Sequence, residues 1–476
     1  MDGETVRMEE WHRFENRPVP VGDALLWNPL ELWESILEGL TKIGRREVAV
    51  ESIGCDTWGV DYVLLRGDGL FAGPCFNHRD GRNHAAFEKA MQTVGREKIF
   101  DATGLQFLPI NTLYQLIAER DVSGSALEVA DGLLLMGDFF HYLLTDRRSI
   151  EATNASTTQL LDPRDQTWRK DLIEAFDLPE HLFAPVTQPG TVLGNLTDSV
   201  ARRTGIDNAS VIIPATHDTA SAVISVPVDD FAPEKPDWCY ISCGTWSLMG
   251  VELASPMVTP LCETLNFTNE GGVAGSTRLL KNIGGLWVFQ QIRASLQRRG
   301  QEVSWSDMVS LANGASPLTT LIDPDAPMLL GPSDMVDAVH EFVDRTGQRP
   351  MADDGAMFRA ALEGLALRYR FTLDNLEQLV DGRLETIYLV GGGSQNELLC
   401  QMTADACNRT VVAGPSEATA IGNLMVQMIG AGELPDVASG RRLAKRSFET
   451  NRFTPARRDG WEEAFERFVH LRAENG

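Results

Sequence analysis

The sequence predicts an α/β protein of two domains. Strand-like and helix-like stretches alternate in both halves of the chain. A proline- and acid-rich stretch, Val226 to Asp237, separates the halves. At about 150 residues per domain, 476 residues allow two or three domains. The stretch sets the boundary between segments 1–226 and 227–476.

The elements follow from local pattern. Val6 to Phe14 has strand-like stretches with weak alternation. Leu32, Ile36 and Leu40 share a helical face. Val48 to Gly54 is short, β-branched and ends on glycine, as a buried strand does. Val60 to Leu65 is a second strand, and Gly67-Asp68-Gly69 turns it toward Leu70 and Phe71. Phe87, Met91 and Val94 mark a helix over Ala85 to Val94, stopped by Gly95. Leu113 to Arg120 repeats the helical period, and Val211 to Ile213 is a strand.

Beyond the boundary, Trp238 to Val251 is a strand pair turned by Ser-Cys-Gly-Thr-Trp-Ser. Phe358 to Val380 is a long helix. A strand at Thr386 to Val390, a loop at Gly391 to Asn396 and a helix at Glu397 to Cys407 then form one unit. Thr410 to Ala413 is the next strand.

Composition narrows the function. The net charge of −25 argues against nucleic acid as the main partner, because a phosphate backbone needs a basic footprint. It also argues against an anionic membrane surface. No apolar run is long enough to span a bilayer. Met1 to Arg7 lacks the character of a signal peptide. The seven cysteines contain no Cys-x-x-Cys. These features predict a cytoplasmic protein with free thiols. The Walker A loop, His-Glu-x-x-His and Gly-x-Ser-x-Gly are absent, and the histidines lack metal-ligand spacing.

Five runs carry chemistry. In Pro214 to Ala222 a strand ends, exposes His217-Asp218-Thr219, and enters a helix start, the usual place for reactive groups in an open α/β sheet. Asp218 is a candidate general base, with His217 and Thr219 placed to grip hydroxyls. The competing reading, equally weighted, is that Asp218 caps the helix. Ser242 to Ser247 can offer amides and a hydroxyl to phosphate, although a tight hairpin is the ordinary reading. Gly391-Gly392-Gly393-Ser394 lets a flat ligand lie against backbone. Asp56 to Asp61, followed by Asn77 to Arg82, supplies carboxylate, hydroxyl and indole for a sugar, or a core tryptophan with polar caps. Asn282, before Gly284-Gly285, is a ligand contact or an N-cap.

Together these runs resemble the FGGY carbohydrate kinases. The matching stretches are Ile53 to Asp61, Gln106 to Leu116, Thr153 to Leu160, His217 to Ile224, Ser242 to Gly250, Thr268 to Gly272, Lys281-Asn282, Gly391 to Asn396 and Ala404 to Cys407, in family order. The resemblance implies two actin-like (ribonuclease H-like) ATPase domains closing over a cleft, with sugar on 1–226 and ATP on 227–476. It implies transfer of the ATP γ-phosphoryl group to the 1-hydroxyl of a ketose, L-rhamnulose foremost, with Mg²⁺ as the metal and its ligands unassigned. Asp218 becomes the catalytic base. Gly59, His217, Thr219 and Asn282 become sugar contacts, and Thr245, Gln290 and Gly392 ATP contacts. The partner is a small sugar, with no nucleic acid or membrane and no oligomeric state implied.

Two departures stand out. The family's opening hairpin, with its Asp-x-Gly phosphate loop, has no counterpart, and the chain enters at what looks like the third strand, Glu4 to Phe14. That implies a start assigned too late or a shortened chain, which the coding sequence upstream of Met1 tests. In addition, His78 stands where an aromatic is usual and Gly81 precedes Arg82. Alternatives are a kinase for L-fuculose, L-ribulose or D-xylulose, or a non-catalytic sugar or nucleotide sensor of the same fold.

Overall fold

The computed structural model describes residues 5–46, 48–122, 124–456 and 459–475. The chain packs into two units. The first contains Met1–Pro233, Glu252–Leu279 and Thr419–Ser447, and the second Glu234–Val251, Leu280–Ala418 and Phe448–Gly476. The first change of unit falls inside the proline-rich stretch. Packing then returns two later segments to the first unit, which a single cut at 226/227 does not anticipate.

In the first unit, Ser52–Ile53 pairs parallel with Ser210–Ile212, and Val192–Asn195 pairs antiparallel on the other side. Tyr62–Leu65 pairs antiparallel with Gly132–Leu135. Both runs are wholly buried. The helix Pro29–Gly44 starts with proline after the Asn28 cap and turns Leu32 and Leu37 inward. Met136–Thr145 leaves directly from its strand and packs Phe139 and Phe140 against Val63 and Leu65.

Two expected strands are corrected. Val48 to Gly54 is a ladder only at Ser52–Ile53, and Val48 is 63% exposed. Within Val6 to Phe14 no residue is assigned to a strand. Glu4 lies outside the described residues. A β-branched run becomes a strand only where a neighbour completes its backbone hydrogen bonds. Here the Val6 N–H donates instead to the Ser447 hydroxyl at 2.9 Å.

Five strands lie side by side in the order Ser247–Leu253, Trp238–Cys243, Thr386–Val390, Thr410–Ala413 and Asn451–Phe453, all in the second unit except Glu252 and Leu253 at the end of the first strand. The inner pairs are parallel and the outer pairs antiparallel. The parallel pair Thr386–Val390 and Thr410–Ala413 is linked through the helix Glu397–Cys407. The long helix Asp354–Val380 buries Phe358, Leu362, Leu365, Tyr369, Leu373 and Leu376. Tyr369 also shares a hydrogen bond with the Ser247 hydroxyl at 2.6 Å. Among the described residues no helix is long and apolar enough to cross a membrane.

Candidate active site

The strand Ser210–Ile212 runs out at Pro214, and the chain turns into the short helix Asp218–Ile224. The turn is pinned from both sides. Thr57 N–H donates to Thr216 O, and Asp218 N–H donates to Thr57 O, each at 2.8 Å. The loop Asp56 to Val60 therefore lies against His217-Asp218. A Cβ added to Gly59 would approach Nε2 of His217 to 3.4 Å and Thr157 to 3.2 Å. Val60 holds φ +69°, which is costly for a β-branched residue. Its peptide is clamped: Val60 N–H donates to Thr157 Oγ1, and Val60 O accepts from Thr112 Oγ1 at 2.7 Å and Gln115 Nε2 at 3.2 Å.

Asp218 sits in the first turn, after the cap position occupied by His217. Its Oδ1 accepts Thr219 N–H at 2.6 Å and faces the Thr219 hydroxyl at 3.3 Å. The carboxylate thus serves the helix start while its side chain stays 47% exposed. Crowding by protein atoms raises its pKa above the ordinary carboxylate value, and the Thr219 hydrogen bonds and the Arg278 charge offset part of that rise. Thr219 is buried, with its hydroxyl toward Asp218.

Asp56 is the second carboxylate here. Burial, reinforced by the Asp218 charge, pushes its pKa up to about 6 despite a hydrogen bond from Asn423. Asn423 Nδ2 donates to Asp56 Oδ2 at 2.5 Å and to Gly54 O at 3.1 Å. The same face of the helix Ala418–Gly430 offers the Thr419 hydroxyl to Asp218 O at 3.2 Å.

Beneath the turn, Glu151 is wholly buried. Its oxygens accept from Thr153 N–H and hydroxyl, Asn154 N–H, and Thr216 N–H and hydroxyl, at 2.6 to 3.1 Å. Burial raises its pKa, against the pull of those donors. In Glu151→Gln the amide nitrogen must face at least one of these N–H groups. The expected loss is about 1–3 kcal/mol of stability, read by urea denaturation.

The neighbouring Asp61 is fully buried and receives Trp27 Nε1 at 2.6 Å, Trp58 Nε1 at 2.7 Å and His78 Nδ1 at 2.8 Å on one oxygen. The Trp27 and Trp58 rings lie 4.6 Å apart. The tryptophan of this run is thus half-buried, with its indole N–H satisfied.

In the second unit, Thr245 Oγ1 donates to Gln290 Oε1 at 3.0 Å. The hairpin reading of this run holds. Gly244-Thr245-Trp246 closes an antiparallel hairpin, and Gly244 N–H is already committed to Trp246 O at 2.8 Å. The following segment is tied to it, since Leu286 N–H donates to Gly244 O and Trp287 N–H to Thr245 O. Gly391 takes φ +84° against the Cys243 backbone, and a Cβ on Gly393 would collide with the Cys243 sulfur. A Cβ on Gly392 would meet nothing within 4 Å, so its exposed backbone can take a ligand.

Each predicted site residue falls in the unit that corresponds to its half of the chain. Gly59, His217, Asp218 and Thr219 belong to the first unit; Thr245, Gln290 and Gly392 belong to the second, and so does Asn282. Asn282 lies on the strand Thr277–Ile283, and Leu286 is the cap of the helix Trp287–Arg298, so the N-cap reading of Asn282 is wrong. Arg278, Glu151 and Asn423 were not singled out. An arginine directly before Leu279-Leu280 was one available signal. Polar Thr419, Asn423 and Gln427 on one stripe of an apolar helix were another.

Comparison with known proteins follows the same order along the chain. The N-terminal domain model of the FGGY family of carbohydrate kinases matches residues 6–225, and the C-terminal domain model matches 239–431. A protein named rhamnulokinase from Bacteroides thetaiotaomicron is 40% identical over 463 residues, covering 97% of this chain and 94% of that protein. Another, from Pectobacterium atrosepticum, is 38% identical over 467 residues, covering 98% and 91%. In fold the chain is similar to the solved xylulose kinase from Lactobacillus acidophilus, with a TM-score of 0.79 at 15% identity, covering 96% and 92%.

Proposed function

The chain belongs to the FGGY family of carbohydrate kinases, and from that premise we propose that it transfers the γ-phosphoryl group of ATP to the 1-hydroxyl of L-rhamnulose. The products are L-rhamnulose 1-phosphate and ADP, and the reaction serves L-rhamnose catabolism in the cytoplasm. The observation that carries the reading is the His217-Asp218 turn. It holds a half-open carboxylate of raised proton affinity beside an imidazole and the bare backbone of Gly59. Phosphoryl transfer asks chiefly for positioning, plus one carboxylate to orient and deprotonate the acceptor hydroxyl. Relatives that bear the name rhamnulokinase support L-rhamnulose over other ketoses.

Asp218 acts as base, Gly59 and His217 meet the sugar, and Thr219 holds the base in place. Asn282 is a further sugar contact in this reading. Thr245, Gln290 and the open face of Gly392 fit a nucleotide, since they combine a polar pair with backbone that no side chain covers. ATP supplies the transferred group. Among the described residues no cluster of three or more His, Cys, Asp or Glu side chains forms a metal cage. Mg²⁺ in this reading arrives on the nucleotide phosphates, and no step is assigned to it through the protein.

A coupled ADP-release assay over L-rhamnulose, L-fuculose, L-ribulose and D-xylulose tests the assignment. Preference for L-rhamnulose is expected. Equal turnover of all four removes the specific substrate, and sugar binding without turnover selects a sensor. The pH profile carries a second expectation. The base works only when ionised, and its pKa is raised, so kcat/KM falls with acidification in a limb above the ordinary Asp value of about 3.9. A limb centred at or below that value would contradict the environment described for Asp218.

A further inference from the structure

The two ring nitrogens of His217 have different surroundings. Nδ1 lies 3.1 Å from Nη2 of Arg278 and 3.4 Å from Oε2 of Glu270. Nε2 lies 3.5 Å from Oδ1 of Asp218 and faces Gly59. Arg278 is fully buried and Glu270 is 5% exposed. Arg278 is anchored by its Nε–H to Gly271 O at 3.0 Å, and its Nη2 pairs with Glu270 Oε2 at 3.1 Å. A guanidinium stays protonated and cannot accept. Its contact with Nδ1 is therefore a hydrogen bond only if Nδ1 presents a lone pair. A neutral imidazole carries one N–H, which then sits on Nε2. Burial, and next the Arg278 charge, hold the pKa of His217 well below the usual histidine value, so the ring is neutral.

We propose that Arg278 is a positioning residue that locks His217 in the Nε2–H tautomer, so that the site presents an N–H donor beside the Asp218 acceptor. At 3.5 Å the two side chains are too far apart for a hydrogen bond to each other. A sugar hydroxyl can then accept from Nε2–H while donating its proton to Asp218 Oδ1, and it arrives with that proton already directed at the base. This deepens the kinase reading and rests on it for the role of Asp218; the tautomer itself does not. His217 is thereby excluded as a second base. The charged groups facing the ring are Arg278 and Glu270 from Glu252–Leu279 and Asp218 from its own helix. The Asp218 charge in turn helps to raise the pKa of Asp56, and Thr153 Oγ1 accepts the His217 backbone N–H at 3.3 Å.

The test is a two-bond ¹H–¹⁵N spectrum of the full chain labelled with ¹⁵N-histidine and free of substrate, with the His217 signals assigned by His217→Gln. An unprotonated Nδ1 and a protonated Nε2 are expected, unchanged between about pH 5.5 and 8. In Arg278→Met the proton moves to Nδ1, toward Glu270, or the ring titrates near the ordinary value of about 6.5. Turnover is then expected to fall about tenfold, the scale of one aligned hydrogen bond. Arg278→Lys keeps a cationic donor and is expected to keep the Nε2–H form. A protonated Nδ1 in the parent protein overturns the proposal, and so does an Nε2–H tautomer that survives unaltered in Arg278→Met. If Arg278→Met does not fold, the parent and Arg278→Lys spectra still decide. Because the spectrum needs no sugar or ATP, its outcome is separable from that of the kinase assay.

Discussion

Asp218→Asn lowers kcat by about 10²- to 10⁴-fold, the usual worth of a general base, and leaves ketose affinity nearly unchanged. The asymmetry follows from what the side chain does. Asparagine keeps the shape and an oxygen that can still accept Thr219 N–H, the bond made at 2.6 Å by the carboxylate. The turn at Thr57, Thr216 and Asp218 is held by backbone bonds that the substitution does not touch. What disappears is the ability to take a proton. Asp218→Ala differs, because it also strips the helix start of its acceptor, and it is expected to lose stability as well as turnover. Turnover is measured by ADP release and affinity by calorimetry. A loss of affinity as large as the loss of turnover would make Asp218 a gripping residue rather than a base.

The largest expected effect on stability lies elsewhere in the first unit. Glu252 and Arg441 are both completely buried. Arg441 Nη2 donates to Glu252 Oε2 at 2.8 Å and to Val223 O at 3.2 Å, and Nη1 donates to Asp230 O at 2.6 Å. Glu252 also accepts Ser276 Oγ and Ala232 N–H, each at 3.3 Å. The pair therefore joins residues from all three chain segments of the unit. Glu252→Leu leaves a guanidinium buried without its carboxylate, at an expected loss of about 3–5 kcal/mol. Adding Arg441→Met to the same chain removes the stranded charge and is expected to restore much of that loss. Urea unfolding of the parent, the single variant and the double variant separates the two outcomes. If the double variant is as unstable as the single one, the carbonyl bonds of Arg441, not the ion pair, hold the segments.

Local pattern read the interior well where one element satisfies itself. The helix Asp354–Val380 and the unit from Thr386 to Cys407 lie where their periodicity and loop glycines put them. Strands were harder, because a strand is decided by its neighbour. Val48 to Gly54 has the composition, but only Ser52–Ile53 has the partner. The reactive turn was legible because strand, proline and polar triplet are contiguous in sequence. The family pattern names Thr245 and Gln290 only as separate nucleotide contacts; their hydrogen bond across 45 residues is not legible from spacing. Arg278 and Asn423 escaped notice because their meaning lies in who they face. One supports His217 and the other Asp56, at separations of 61 and 367 residues.

The three-part composition of the first unit also bears on how the protein comes into being. A chain emerging from the ribosome delivers residues 1–233 first, but Thr419, Asn423 and Arg441 belong to a segment that completes this unit only much later. Between those points two of the three segments of the second unit, Glu234–Val251 and Leu280–Ala418, are translated. Contacts of such long range form late, after the loop between them has been closed. In the nascent first unit Asp56 therefore waits 367 residues for its amide partner and Glu252 waits 189 for its cation. That is the interval in which a chaperone or a protease would find it.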